Sequence, residues 1–248
     1  MKTQSRIPGG VTICVTSCGR ADLLERTLES FREFNTGGRF LLSEDADDPA
    51  VRAMLAARHP DIEIHAGGPR LGLMGSIDRV YSKVETDYIF HLEDDWEFSG
   101  PVAWNAAIAA LEGRADVANV SIRYIDEIKP KYRAGSQFFE VGGEKFQLIR
   151  PDAHAEFFGW SSNPGLIKTE LHRSYAPFAR LMHDQMSGLI KKEGKRVAYL
   201  LPGVAGHIGQ KRNITDPTMP ARPKSRPAKW LRAIKKKLYY AGFRKEPF

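Results

Sequence analysis

Apolar and polar positions alternate along the first 95 residues in a way that predicts a repeated strand and helix arrangement. Four short apolar or β-branched runs each lead into a polar turn, and segments with apolar residues three or four positions apart separate them. The predicted strands cover 11–16, 39–43, 62–65 and 88–92. The predicted helices cover 22–34, 49–58 and 72–84. Because this alternation is typical of parallel strands joined by crossover helices, we predict an α/β fold.

The second half of the chain is less regular. Glycines and alternating patterns in residues 130–150 are typical of hairpins, and residues 157–165 are aromatic and rich in turn formers. Helical spacing occurs over 101–111, 168–174 and 178–193. Further strands are predicted over 117–122 and 196–201.

Three consecutive carboxylates, Glu93, Asp94 and Asp95, follow the fourth predicted strand. Adjacent acids at the end of a buried strand repel each other and lose hydration, and a divalent cation with oxygen ligands would offset that cost. The alternative is a solvated acidic loop. Thr16 ends one other predicted strand and Asp45 follows another, and the carboxyl ends of parallel strands share one edge of the sheet, where such folds bind ligands. We therefore predict a ligand site at this edge.

The net charge of +7 is unevenly distributed. Residues 221–248 carry +9, so the remaining residues carry −2. A slightly acidic body argues against a nucleic-acid-binding face spread over the fold, and we expect no nucleic-acid partner. The basic tail is expected to meet an anionic surface.

The tail has the pattern of an interfacial helix. From Pro227 onward, Trp230, Ile234 and Leu238 share one helical face and most lysines lie off it. This arrangement favours contact with an anionic membrane. Two alternatives remain open, namely docking on the protein's own core and binding of nucleic acid.

The cysteines and the hydropathy suggest where the chain works. Cys14 and Cys18 form no CxxC pair, and no zinc-binding spacing is present, which suits a reducing compartment. The N-terminus lacks the apolar core of a signal peptide, and no window approaches the roughly 20 apolar residues of a membrane span. We expect a cytoplasmic protein held by its tail on the inner face of the cell membrane.

Four segments together resemble the GT-A glycosyltransferases, in particular the inverting enzymes of the family-2-like group. They are the strand and loop at 11–20, the strand exit at 44–45, the helix and acidic strand end at 72–95, and His183-Asp184 with a strand and His207 after it. The resemblance covers about residues 10–210. It implies a GT-A fold over residues 1–210, with a Rossmann-like, mostly parallel central sheet flanked by helices. Residues 211–248 then form a Pro/basic linker and a basic, amphipathic helical extension.

The resemblance implies metal-dependent transfer, with inversion, of a hexosyl or N-acetylhexosaminyl group from a nucleotide-sugar, foremost a UDP-sugar. The acceptor would be a hydroxyl of a glycan or lipid-linked molecule in envelope or surface glycan assembly. Charge builds on the diphosphate leaving group, and Mn²⁺ or Mg²⁺ would neutralise it. The implied metal ligands are Asp95, Glu93 and His207, although His207 could instead be an ordinary loop histidine. Imidazole suits Mn²⁺ better than Mg²⁺.

The resemblance also assigns residues to the donor and the base. Asp184 would be the base that takes the acceptor's proton, and its alternative role is a carboxylate at a helix N-terminus. The residues expected to contact the nucleotide are Thr16, Arg20, Asp45 and Asp94. The alternative for Asp45 is a solvated turn.

Two departures from the family pattern leave other functions open. Glu93 replaces the first Asp of the metal motif, and His183 stands where a Glu is usual, which keeps open a non-catalytic nucleotide- or carbohydrate-binding protein on the same fold. A sugar nucleotidyltransferase is a third class, but the loop at 17–20 is a poor version of the Gly/basic-rich loop that holds a triphosphate. Trp160 is expected either to stack on a sugar or to pack in the core.

Overall fold

The structure is a computed structural model that describes residues 3–210, 212, 214–219, 223 and 225–240. Its strands are β1 (Ser5–Arg6), β2 (Val11–Ser17), β3 (Asn35–Thr36), β4 (Arg39–Glu44), β5 (Glu63–Ala66), β6 (Tyr88–Glu93), β7 (Trp96–Phe98), β8 (Val117–Ser121), β9 (Gln137–Val141), β10 (Glu144–Leu148), β11 (Gly165–Lys168), β12 (Arg196–Leu200) and β13 (Ala205–His207). Its α-helices are α1 (Ala21–Phe34), α2 (Pro49–Arg58), α3 (Gly72–Tyr81), α4 (Trp104–Gly113), α5 (Pro130–Arg133), α6 (Thr169–Tyr175), α7 (His183–Lys192) and α8 (Arg226–Tyr240).

A largely parallel sheet forms the centre of the described part of the chain. Its strand order is β5-β4-β2-β6-β11-β8-β12-β10-β9. The strands β5, β4, β2 and β6 are parallel neighbours, and β8 pairs with β12 in parallel. The strands β11 and β10 are antiparallel to their neighbours on both sides. The predicted α/β fold with a mostly parallel sheet flanked by helices is therefore confirmed.

The central strands of the sheet are buried on both faces, as a sheet with crossover helices requires. Ile13 and Val15 of β2 point into a core formed with α1, α2 and α4. Cys14, between them, belongs to a second core on the other face with α3, α6 and α7. This is why the strands are continuously apolar rather than alternating.

The main differences from the sequence prediction lie in the second half. The predicted helix over 178–193 is divided, because Leu181 and Met182 have extended backbones between a 3₁₀ turn and α7. The strand β11 was not predicted, and it lies between β6 and β8. Gly165 is needed there, because a Cβ at this position would collide with the carbonyl oxygen of Val120.

The basic tail contains the predicted helix, α8, and Ala241 and the residues after it lie outside the described part. Trp230 and Leu238 are exposed on α8, at 68 % and 42 % of their full surface. None of the helices in the described residues combines the length and the apolar character needed to span a bilayer.

Candidate active site

The exits of three parallel strands meet at one edge of the sheet, as predicted. Thr16, at the end of β2, lies opposite Ser43 of β4 on one side and Glu93 of β6 on the other. Ser17 lies opposite Glu44. Thr16 is buried, so it forms part of the floor of this edge.

Asp94 anchors the loop that follows β2. Its Oδ2 atom accepts hydrogen bonds from the Ser17 hydroxyl at 3.1 Å, the Cys18 backbone N–H at 3.2 Å and Arg20 Nε at 3.2 Å. Arg20 also donates to Asp94 Oδ1. Burial raises the pKa of Asp94, and Arg20 opposes that shift. In this structure the two residues predicted to contact the nucleotide, Arg20 and Asp94, are paired with each other.

Arg20 also connects Asp94 to the next carboxylate. Its Nη1 atom lies 2.8 Å from Asp95 Oδ2. Burial by itself would lower the pKa of the Arg20 guanidinium, but the hydrogen bond and charge of Asp94 and the charge of Asp95 raise it. Arg20 is thus a fixed cation beside two buried acids, and such a guanidinium suits contact with a phosphate.

Asp95 and His207 come together from distant parts of the sequence. The strands β7 and β13 form an antiparallel ribbon in which Trp96 lies opposite His207. His207 Nε2 lies 3.3 Å from Asp95 Oδ2, and its ring meets the Trp96 ring edge-on at 5.3 Å. A Cβ at Gly209 would collide with the Asp95 carboxylate, so a glycine is required for this approach.

The ligand atoms of Asp95 and His207 fit a divalent cation whose remaining ligands come from a bound substrate. The described residues contain no group of three or more His, Cys, Asp and Glu side chains that could hold a metal ion. A carboxylate and an imidazole are sufficient where substrate phosphates and water complete the coordination. His207 keeps 35 % of its side chain exposed, so the pair is accessible from solvent.

Glu93 has other partners in this structure. Trp96 Nε1 donates to its Oε2 at 3.2 Å, and the Ser162 hydroxyl donates to its Oε1 at 3.3 Å. Burial, together with the charges of Asp95 and Asp94, raises the pKa of Glu93 to about 8. Its role as a metal ligand stays a prediction.

Ser162 and His183 connect this edge of the sheet to α7. His183 Nε2 accepts the Ser162 backbone N–H at 3.2 Å, and Ser162 in turn donates to Glu93. Burial lowers the pKa of His183 to about 4, so the ring is neutral and can accept. The sequence pointed to His183 only as a neighbour of Asp184, and Ser162 was missed because its partners are distant in sequence.

Asp184 lies in the first turn of α7, directly after His183. It is half-buried, and its Oδ1 atom accepts the Gln185 backbone N–H at 3.0 Å. This position fits both roles considered for Asp184, namely the base and a carboxylate that interacts with the helix N-terminus. The N-terminal end of a helix is a favourable place for a carboxylate, whichever role it has. Its role as the base stays a prediction.

Asp45 caps α3 rather than lying in a solvated turn. Its two carboxylate oxygens accept the backbone N–H groups of Leu71 at 2.6 Å and Gly72 at 3.1 Å. Arg70 Nε lies 3.4 Å from the same carboxylate. Asp45 therefore positions the N-terminus of α3 and Arg70 at the sheet edge, and its contact with a nucleotide stays a prediction.

The chain after His207 returns across this edge. The backbone carbonyl of Arg212 accepts from Arg20 at 3.2 Å, and that of Thr215 accepts from Arg70 at 3.1 Å. Asp216 accepts the Leu73 backbone N–H at 2.9 Å, next to the cap provided by Asp45. The sequence predicted only a linker here, because these partners are more than a hundred residues away.

Trp160 packs in the core. It is almost fully buried, and its ring lies 5.3 Å from the Phe178 ring and 5.0 Å from the His183 ring. A side chain enclosed in this way has no face for a sugar, so of the two expected roles the structure supports packing.

Comparison with known proteins identifies the family. Residues 12–173, more than half of the chain, match the family described as Glycosyl transferase family 2. The chain belongs to this family. A processive diacylglycerol beta-glycosyltransferase of Mycoplasma pneumoniae (strain ATCC 29342 / M129 / Subtype 1) is 27 % identical over 127 residues. That alignment covers 48 % of this chain and 37 % of the relative, so the chain matches well under half of that protein.

Solved structures of glycosyltransferases share the fold. The mannosyltransferase PcManGT from Pyrobaculum calidifontis, in complex with GDP-Man and Mn²⁺, superimposes with a TM-score of 0.53 and 15 % identity. The match covers 86 % of this chain and 62 % of that one. S. aureus TarS 1-349 in complex with UDP gives a TM-score of 0.55 at 10 % identity, over 79 % of this chain and 59 % of TarS 1-349. At such low identity the likeness establishes the GT-A fold alone.

Proposed function

We propose that this chain is a metal-dependent, inverting glycosyltransferase that moves a sugar from a nucleotide-sugar to a hydroxyl acceptor. The observation that carries the proposal is the cluster of Arg20, Asp94, Asp95 and His207 at the strand exits of a family 2 domain. A fixed guanidinium beside a carboxylate–imidazole pair has the chemistry that a diphosphate leaving group requires.

A divalent cation would neutralise the charge that develops on the diphosphate. Asp95 and His207 would hold it, with Glu93 as the third predicted ligand. We propose Mn²⁺ or Mg²⁺, and the solved complex of PcManGT with GDP-Man and Mn²⁺ supports this choice. Arg20 would donate to a diphosphate oxygen in addition, while Asp94 holds the guanidinium in place.

Asp184 would take the proton from the acceptor hydroxyl as that oxygen attacks the anomeric carbon. One base is sufficient for a single displacement, which inverts the anomeric configuration. Asp184 lies in the first turn of α7, where a carboxylate is favoured, and a carboxylate is the group that would take the acceptor's proton in the transition state. The contacts through His183 and Ser162 tie this helix end to Glu93 at the strand exit.

The acceptor is proposed to be a lipid or a lipid-linked glycan at the inner face of the cell membrane. The named activity of the Mycoplasma relative is compatible with a lipid acceptor. On α8, Trp230, Leu231 and Leu238 are exposed, and the helix carries six basic residues and no acidic residue. This combination suits adsorption to anionic lipid. The donor is proposed to be a UDP-sugar, although the solved complexes include both UDP and GDP-Man.

The proposal is tested by a donor screen on the full chain. UDP-, GDP- and other nucleotide-sugars are incubated with Mn²⁺, with and without vesicles of bacterial phospholipid, and nucleoside diphosphate release and glycosylated product are measured. We expect one donor class to be used, with an inverted product. No Mn²⁺-dependent release from any donor, or a product that retains the donor's anomeric configuration, would contradict it.

A further inference from the structure

A cleft lies between α7 and α8, beside the first turn of the helix that carries Asp184. Its volume is about 360 Å³. Leu181, Gln185, Leu189 and Lys192 line it from the α7 side together with Arg180, and Tyr239 lines it from α8. The cleft is therefore formed by the family domain and the tail helix together.

The cleft is cationic. Arg180 and Lys192 are exposed, and neither forms an ion pair with any residue that the structure describes. No acidic side chain lines the cleft within the described part of the chain. Two such cations lining a small cavity favour an anionic occupant, because no carboxylate among the described residues neutralises them.

Gln185 adds a buried hydrogen-bond donor. Its Oε1 atom accepts the Met182 backbone N–H at 3.1 Å, which closes the first turn of α7. Its Nε2 atom is buried and has no partner among the described residues, although the residue lines the cleft. A buried amide donor without an acceptor is unfavourable, so a ligand oxygen in the cleft would stabilise it.

The position of the cleft indicates what kind of molecule carries that oxygen. Gln185 directly follows Asp184, the proposed base, so a bound head group would lie next to the place where the acceptor hydroxyl reacts. The helix α8, which lines the cleft through Tyr239, also exposes Trp230 and Leu238, and these suit a lipid surface. The apolar side chains of Leu181 and Leu189 also line the cleft.

We infer that this cleft binds the phosphate-bearing head group of an anionic membrane lipid and presents a hydroxyl of that head group to Asp184 as the acceptor. As the hydroxyl oxygen bonds to the anomeric carbon of the donor, the bond from that carbon to the nucleoside diphosphate breaks and Asp184 takes the hydroxyl proton. The inference rests on the proposed function and specifies its acceptor. Arg180 and Lys192 pair with the phosphate, Gln185 Nε2 donates to one of its oxygens, and the acyl chains extend toward the membrane that α8 contacts.

Calorimetry on the full chain tests the inference with three probes, namely dihexanoyl phosphatidylglycerol, dihexanoyl glycerol and inorganic phosphate. We expect the anionic lipid to bind most tightly. Arg180→Glu combined with Lys192→Glu should weaken that binding at least about tenfold, because two charge-assisted contacts are lost. Gln185→Leu should weaken it by a smaller factor. A matched double reversal, Lys83→Glu with Arg173→Glu, changes the net charge equally but lies outside the cleft, and it should leave binding unchanged.

Each other outcome would overturn the inference. Equal binding of inorganic phosphate and the lipid would indicate a free-anion site, and equal binding of dihexanoyl glycerol would exclude recognition of the phosphate. Equal loss in both double variants would indicate non-specific attraction, and no binding of the anionic lipid by the wild-type chain would exclude the site. Donor hydrolysis by the wild-type chain is measured separately. Its absence would contradict the proposed glycosyl transfer while leaving lipid binding in the cleft as a separate result.

Discussion

The buried histidine His91 is expected to lower the free energy of unfolding as the solution becomes acidic. It lies within β6, two residues before Glu93, and is only 2 % exposed. Neither ring nitrogen has a hydrogen-bond partner in the described part of the chain. Burial lowers the pKa of His91 to about 3, and the nearby His183 adds to the shift. The ring is therefore neutral in the folded protein over most of the acid range.

The sign and size of the effect follow from proton linkage. An unfolded chain has a histidine pKa of about 6.5, so between about pH 6.5 and pH 3 the unfolded state binds more protons at this residue. The free energy of unfolding then falls as the pH falls through that window. Between pH 7 and pH 5 the loss due to His91 is about 2 kcal/mol, a large part of the roughly 5–15 kcal/mol of a typical domain.

Urea unfolding of the wild type and of His91→Leu at pH 7 and pH 5 measures the contribution of His91 to this pH dependence. The substitution removes the titrating ring and fills the space with an apolar side chain. The variant should lose about 2 kcal/mol less than the wild type between the two pH values. Glu93 has a raised pKa and contributes with the opposite sign, but it is present in both proteins, so the comparison cancels it. Phe90→Leu is the control, since it alters the same strand without changing a titrating group. If His91→Leu and the wild type lost the same free energy, the reasoning would be refuted.

Three further predictions concern the base, the cap and the tail. Asp184→Asn should slow transfer by at least ~10²-fold while donor binding persists, and steady-state kinetics with near wild-type rates in a folded variant would exclude it as the base. Asp45→Ala should lower the free energy of unfolding by about 1 kcal/mol through the lost cap, so an unchanged urea midpoint would contradict that role. Trp230→Glu should reduce sedimentation of the protein with anionic vesicles, and added salt should reduce sedimentation of the wild type. The control Phe138→Glu, at another exposed aromatic residue, should sediment like the wild type. Equal sedimentation of these two variants would argue against a tail anchor.

The elements of the first half were predictable because their signals are local. The helix α2 begins where Pro49 follows Asp48, whose carboxylate accepts the Ala50 backbone N–H at 2.7 Å, and each of these residues is visible in the sequence. The strands β2 and β6 were visible as short apolar runs with a polar exit. Their shared edge followed from the rule that parallel strands end together.

The remaining features depend on contacts between distant residues. Asp45 caps a helix 27 residues later, and Asp216 contacts the same helix end from 143 residues beyond Leu73 in the sequence. The strand β11 has four residues, too few for a periodic signal, and its place between β6 and β8 is set by the close approach at Gly165. No local pattern distinguishes such partners from ordinary turn residues.

Nucleoside diphosphate binding in the presence of Mn²⁺ tests the central proposal most directly. Calorimetry would compare the wild type with Asp95→Ala and with Asp152→Ala, a control at an exposed acid that pairs with Arg150. We predict that the wild type and the control bind the nucleotide only when Mn²⁺ is present, and that Asp95→Ala loses most of the metal-dependent affinity. Metal-dependent binding of unchanged affinity in folded Asp95→Ala would contradict the assignment of this carboxylate, and with it the proposed chemistry of the site.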